Sequence, residues 1–112
     1  MLMSHVSGIN DWWNTLLGLI TYGEDSPIPL GQFLENYLTP GGVYYNSNTN
    51  FYNIEPGTQY HYSSVGAALA AYTVEYINPD SLSFDQYCDS NIFVPLGMVN
   101  SGCLLANIDT SN

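Results

Sequence analysis

A mainly helical domain with one long central loop is the fold that three features of the sequence predict. Apolar residues recur at helical spacing in four separate stretches, clusters of Pro, Gly, Asn and Ser bound those stretches, and one segment between them, Val43 to Tyr62, follows neither a helical nor a strand period. The length of 112 residues suits one domain, burying about two thirds of the surface of its unfolded form around a single core.

The first helical stretch runs from Asn10 to Tyr22. Trp12, Trp13, Leu16, Leu17 and Ile20 share one face behind Asn10 or Asp11 as a cap, and Gly18 weakens the pattern. The tryptophan pair suits either a core position or the lining of a ligand pocket. A second helix is bounded more sharply. Pro27 and Pro29 lead into Leu30, Phe33, Leu34, Tyr37 and Leu38, and Pro40-Gly41-Gly42 stops it. The loop that follows threads Tyr44, Tyr45, Phe51, Tyr52, Tyr60 and Tyr62 among four asparagines, and so many aromatic rings favour an ordered, packed loop. Ser63-Ser64 then offers an N-cap for a helix over Val65 to Ile77. Its Gly66, Ala67, Ala68, Ala70 and Ala71 predict close approach by neighbouring backbone, and Asn78-Pro79-Asp80 ends it. Ser83 followed by Gln86 has capping-box form and opens a fourth helix to about Ile92, with Phe84, Tyr87, Cys88 and Ile92 on one side. A short strand is expected near Gly102 to Leu105, and the rest of the tail from Met98 to Asn112 is unassigned.

Charge restricts the partners. The chain carries ten Asp plus Glu and no Lys or Arg, an absence that chance gives with a probability on the order of one in a million at ordinary composition. A formal charge of −10 excludes nucleic acid, whose binding draws on Lys and Arg for counterion release, and disfavours anionic lipid surfaces. No apolar run reaches the roughly 18 residues that span a bilayer, so no membrane partner is expected. The first residues, Met1 to His5, show no basic n-region and no sustained apolar run, so no signal peptide is visible.

Cysteine and histidine are sparse. Cys88 and Cys103 are either two thiols or one internal bridge. With His5 and His61 they show no paired metal-ligand spacing, so no metal and no cofactor are expected. The acidic pair Glu24-Asp25 before Ser26-Pro27 reads as a solvated turn. Serines and two histidines permit a Ser-His-Asp arrangement, but no Gly-x-Ser-x-Gly elbow places a serine on a strained turn.

Three segments read together carry a sharper signal. Leu2-Met3-Ser4-His5-Val6-Ser7-Gly8-Ile9 resembles the Leu-Leu-Thr-His-Thr-Ser-Gly-Ile run of the serine beta-lactamase-related family, which includes class C beta-lactamases, DD-peptidases and related esterases. Pro56-Gly57, then Tyr62-Ser63-Ser64, then Gly66-Ala67-Ala68-Leu69 is similar to that family's Pro-Gly, Tyr-Ser-Asn and Gly-Tyr-x-Leu-Leu segment. Tyr87 followed by Ile92-Phe93-Val94-Pro95-Leu96-Gly97-Met98 resembles its Ile-Phe-x-Pro-Leu-Gly-Met signature. The resemblance covers Leu2 to Met98.

This resemblance implies a site. Tyr62 takes the place of the family tyrosine that acts as, or assists, the general base for a Ser-x-x-Lys nucleophile, and Ser64 stands in the substrate-binding place of the family Asn. A phenol titrates near 10 in water and serves as a base near neutrality only where cations hold the phenolate. The chain supplies no such side chain. A hydroxyl in place of the amide still donates and accepts, but it is shorter. Both lysine-dependent motifs, Ser-x-x-Lys and Lys-Thr-Gly, are absent.

Residues 1–112 are therefore expected to form a single partial domain. It would be the helical subdomain of a beta-lactamase/DD-peptidase-like α+β fold, with little or no sheet. The function implied is that of a fragment of a serine hydrolase, cleaving an amide, lactam or ester through an acyl-serine in the complete protein, with a small molecule or peptide as substrate. The alternative is a non-catalytic helical binding or structural module derived from such an enzyme. The resemblance allows a periplasmic or secreted location, and the sequence leaves the compartment open. His5 reads as part of a structural turn, with a direct chemical role as the alternative, and His61 as an exposed loop imidazole, with lining of the cleft as the alternative. Helices that covered a sheet in the parent fold would expose an apolar surface, which predicts self-association.

Overall fold

The computed structural model describes residues 1–108, so the end of the expected domain, residues 109–112, lies outside the described residues. Four α-helices follow in order. Helix α1 spans Trp13–Leu16 and passes into a 3-10 turn at Leu17–Leu19, α2 spans Leu30–Leu38, α3 spans Ser64–Ile77, and α4 spans Phe84–Cys88 and widens into a π turn at Asp89–Phe93. No sheet forms among the described residues, where one isolated antiparallel bridge joins Ile9 to Phe51. The chain is thus mainly helical.

Helix α2 forms where its flanks place it. Pro29 sits at the N-cap in an extended conformation, and the helix buries Leu34 and Tyr37 while Leu30, Phe33 and Leu38 pack beside them. Beyond its end, Gly42 passes so close to the Asn36 carbonyl that a Cβ there would collide with backbone. Helix α3 begins as expected at Ser63, whose hydroxyl accepts from the Gly66 N–H at 2.8 Å. It packs on α2 where Gly31 leaves room for the Tyr72 ring; a Cβ at Gly31 would stand 2.8 Å from three atoms of that side chain. Helix α4 starts with Gln86 Oε1 accepting from the Ser83 N–H at 3.2 Å, half of a capping box, and docks on α3 through the Phe84 N–H, which donates to Glu75 Oε1 at 2.8 Å.

The core is small and sits where these helices meet the amino-terminal segment: Ile9, Leu34, Tyr37 and Val65, with Leu2, Phe51 and Leu69 against it. The long loop contributes to that core, as its aromatic content predicts. Asn50 is fully buried and donates to the carbonyls of Tyr37 and Tyr44, both at 2.8 Å, so one amide ties the loop to the end of α2. Residues 5–10 run beside the loop and trade backbone bonds with it: Asn10 N–H to Asn50 O, Tyr52 N–H to Gly8 O, Gly57 N–H to Val6 O and His61 N–H to His5 O. Their uneven spacing keeps the pairing from becoming a ladder.

Several expectations fail. The helix expected over Asn10 to Tyr22 shrinks to α1 and its 3-10 turn, and of its apolar face Leu16 packs against the core while Trp12, Trp13, Leu17 and Ile20 are exposed, Trp13 at 52%. Core placement of the tryptophans is therefore incorrect. Ile92 is exposed, because the π turn rotates it off the face that buries Cys88. The strand expected at Gly102 to Leu105 does not form. With no neighbour to pair with, that stretch is irregular and ends in a 3-10 turn at Leu105–Asn107.

Candidate functional site

The amino end of α3 is built by residues far apart in sequence. Asp11, which the sequence offers as a cap for the first helix, caps α3 instead. Its Oδ1 accepts from the Ser63 hydroxyl and the Val65 N–H, each at 3.0 Å, and its Oδ2 accepts from the Ser64 N–H at 2.7 Å. The carboxylate is only 6% exposed. A buried carboxylate is costly unless fully hydrogen-bonded, and the partial positive charge of a helix N-terminus offsets that cost further. Among the described residues no buried side-chain nitrogen or oxygen lacks a hydrogen-bond partner.

His5 completes the frame from the other side. It adopts a left-handed backbone, φ 54°, and its Nδ1 accepts from the Ser63 N–H at 3.2 Å, which requires that nitrogen to be unprotonated. Its ring lies 4.6 Å from the Tyr62 ring, centroid to centroid, and meets the Tyr60 ring edge-on at 5.8 Å. His61 is half-buried and stacks on Tyr52 at 4.1 Å, so it is a packed residue and not the exposed loop imidazole expected of it.

Tyr62 and Ser64 therefore flank a locked residue. Ser63 is fully buried, with its N–H on His5 and its hydroxyl between Asp11 and Gly66, while Tyr62 is 61% exposed and Ser64 is exposed at the first turn of α3. Two polar side chains face solvent from a backbone that cannot shift without breaking the Asp11 and His5 bonds. His5, Ser63 and Asp11 are brought together, yet they do not form a nucleophilic triad. The Ser63 hydroxyl is out of reach of solvent and bonds directly to the carboxylate, and the imidazole holds the backbone N–H instead of the hydroxyl.

A second buried network stands behind this frame. The Tyr37 hydroxyl donates to Asn10 O at 2.8 Å and accepts from Trp12 N–H at 2.7 Å, which fixes the chain on both sides of Asp11. Burial raises the Tyr37 phenol above its ordinary value against the opposing Trp12 N–H, and the nearby Asp11 charge raises it further. Sequence reasoning names neither Asp11 nor Tyr37 as part of the site. The signal for Asp11 is weak: a lone acid just before an apolar run reads as a local cap.

Among the described residues no group of three or more His, Cys, Asp or Glu side chains could hold a metal ion, and no helix is long and apolar enough to cross a membrane. A groove of about 1140 Å³ lies between α2, α3 and the start of α4, lined by Leu30, Phe33, Tyr72, Phe84 and Leu104, and none of His5, Tyr62 or Ser64 reaches it. Compared with known proteins, the chain matches no family model, no curated protein and no solved structure.

Proposed function

We propose that this chain is the helical part of a serine hydrolase of the beta-lactamase-related family, with Tyr62 as the general base and Ser64 as a substrate contact. The nucleophile and the lysines would come from segments outside this sequence. The observation that supports this reading most is the alternation at the start of α3: Ser63 buried and held on three sides, Tyr62 and Ser64 presented to solvent on either side of it. A phenol and a hydroxyl that served only packing would not need so rigid a support. Rigid placement is what a base requires to stay within hydrogen-bond reach of the proton it takes.

The reaction would be hydrolysis of an amide, lactam or ester through an acyl-serine. Tyr62 would take the proton of a serine supplied by the missing segment, and Ser64 would donate to or accept from the substrate's polar flank. A lysine of the missing Ser-x-x-Lys would supply the cation that a phenolate needs.

The test is the reading frame upstream of Met1. A continuous frame encoding Ser-x-x-Lys, whose full-length product is labelled stoichiometrically by a fluorescent penicillin or phosphonate, is the expected result. Tyr62→Phe should then slow labelling by about 10²- to 10⁴-fold, the usual loss of a general base. A frame that lacks the motif, or covalent labelling of the 112-residue chain by itself, would remove the proposal.

A further inference from the structure

Four of the ten carboxylates line the groove between α2, α3 and α4, and each comes from a different part of the fold: Asp25 from the turn before α2, Glu35 from α2, Glu75 from α3 and Asp85 from α4. Between them the walls are apolar, with Leu30 and Phe33 on α2, Leu69 and Tyr72 on α3, Phe84 on α4 and Leu104 on the tail. Two of the acids also build the groove. Asp25 Oδ1 accepts from the Leu105 N–H at 2.7 Å and its Oδ2 from the Ala106 N–H at 3.0 Å, which holds the tail as a wall, so the expectation of a merely solvated Glu24-Asp25 turn is incorrect. Glu75 Oε1 accepts from the Phe84 N–H at 2.8 Å and holds α4 against α3. Glu35 is exposed at the groove and Asp85 is half-buried in it.

We propose that this groove docks a basic amphipathic helix of a partner protein. Its apolar face fills the space between α2 and α3, and Lys or Arg side chains along its edges meet Glu35, Glu75 and Asp85. The inference does not depend on the hydrolase reading, since Tyr62 and Ser64 lie apart from this groove.

Charge complementarity selects this occupant. Carboxylates gathered beside apolar walls repel one another more strongly than they would in open water, and the chain has no Lys or Arg to offset them, so a cation brought in from outside gains more here than elsewhere on the surface. A second copy of the chain has no such cation to bring and would set carboxylate against carboxylate. The same charges repel an anionic lipid surface. Size separates a helix from a small cation. The groove holds about 1140 Å³, above the roughly 300–1,000 Å³ of small-molecule pockets, and its walls are helices with apolar side chains facing a common space. An amphipathic helix laid into an apolar groove satisfies both the walls and the acidic edges.

The experiment titrates the full chain into a fluorescent synthetic peptide of Leu and Lys, about four helical turns long with its leucines on one face, and follows anisotropy at about 0.15 M salt. Binding in the micromolar range, roughly, is expected, and a peptide of the same composition scrambled to have no apolar face should bind at least about tenfold more weakly. Glu35→Gln combined with Asp85→Asn should weaken binding about fivefold, as two lost edge pairs would. The same change of charge made outside the groove, by Glu55→Gln with Asp80→Asn, should weaken it by less than about twofold. Glu35→Gln alone, at an exposed position, should move the affinity in the same direction and keeps the test independent of any loosening of α4. Amide resonances of Gly31, Tyr72 and Phe84 should shift on binding. Equal binding of the scrambled peptide, equal loss in the two double variants, or spermine displacing the peptide at equal concentration would overturn the proposal in favour of general attraction to a negative chain. A dimer that closes the groove before any peptide is added would overturn it in favour of a second copy.

Discussion

Asp11 shows what one side chain does at this site. Its three hydrogen-bond partners are 52, 53 and 54 residues further along the chain, so it closes the amino-terminal segment onto α3 and caps that helix at once. Removing the carboxylate strands two backbone N–H groups and a buried hydroxyl. Asp11→Ala is therefore expected to cost about 2–4 kcal/mol of unfolding free energy in urea titrations, and Asp11→Asn, which keeps one acceptor oxygen, clearly less. Tyr37→Phe removes the hydroxyl bridging Asn10 and Trp12 and should cost about 1–2 kcal/mol by the same measurement. Equal stability of the Asp11→Ala and wild-type chains would show that the cap is not a support. Sequence alone conveys the chemistry of Asp11 but not its partner. An acid one residue before an apolar run looks like a local cap, and nothing in a single chain marks a contact fifty residues away. The same limit hides His5, whose role depends on a left-handed backbone that its neighbours impose.

Among the elements, α2 and α3 were legible because their signals agree. Proline and Pro-Gly-Gly punctuation, a five-residue apolar face and a serine cap all point to the same boundaries. The segment around the tryptophans had the period, but only Leu16 of that face is packed on the core, and periodicity reports that a face exists, not how much of it is covered. Contact between α2 and α3 turns on Gly31. Gly31→Ala should cost about 1–3 kcal/mol, because the added methyl must displace the Tyr72 ring, and combining it with Tyr72→Leu should recover part of that loss in a double-mutant cycle. Helix α4 makes a pH prediction. Cys88 is raised from 9.0 to about 11 mainly by burial, so the folded state holds its proton more tightly than the unfolded state does. Its contribution is complete below pH 9 and is lost as pH rises through about 11. The thermal midpoint of the reduced protein should fall between those limits, and Cys88→Ala should flatten that fall.

For the whole molecule, surface and charge oppose one another. The accessible surface is 7562 Å², against about 6,100 Å² for a compact monomer of this mass. The radius of gyration is 15.6 Å, where about 13 Å is usual for the length. Much of the excess is apolar: Trp13, Leu17, Tyr76, Ile77, Val94 and Leu96 are all more than half exposed. The surplus of roughly 1,400 Å² exceeds the about 800 Å² that each partner buries in a standard interface, so the chain has enough uncovered surface for a second copy or for the rest of a larger domain. Ten carboxylates without a basic side chain resist the first of these. Repulsion between two such chains acts over the Debye length, about 30 Å at 0.01 M salt and 3 Å at 1 M, whereas apolar burial is not weakened by salt. Self-association should therefore be suppressed at low ionic strength and appear as salt is raised. In sedimentation velocity at tens of micromolar, roughly, the expected result is a monomer in about 0.01 M salt and a dimer or larger species in about 0.5 M, a range over which screening removes most of the repulsion. A monomer at both salts would mean that the exposed rings and aliphatic groups are too scattered to form one adhesive face. Association at low salt that weakens as salt rises would assign the contact to polar groups instead.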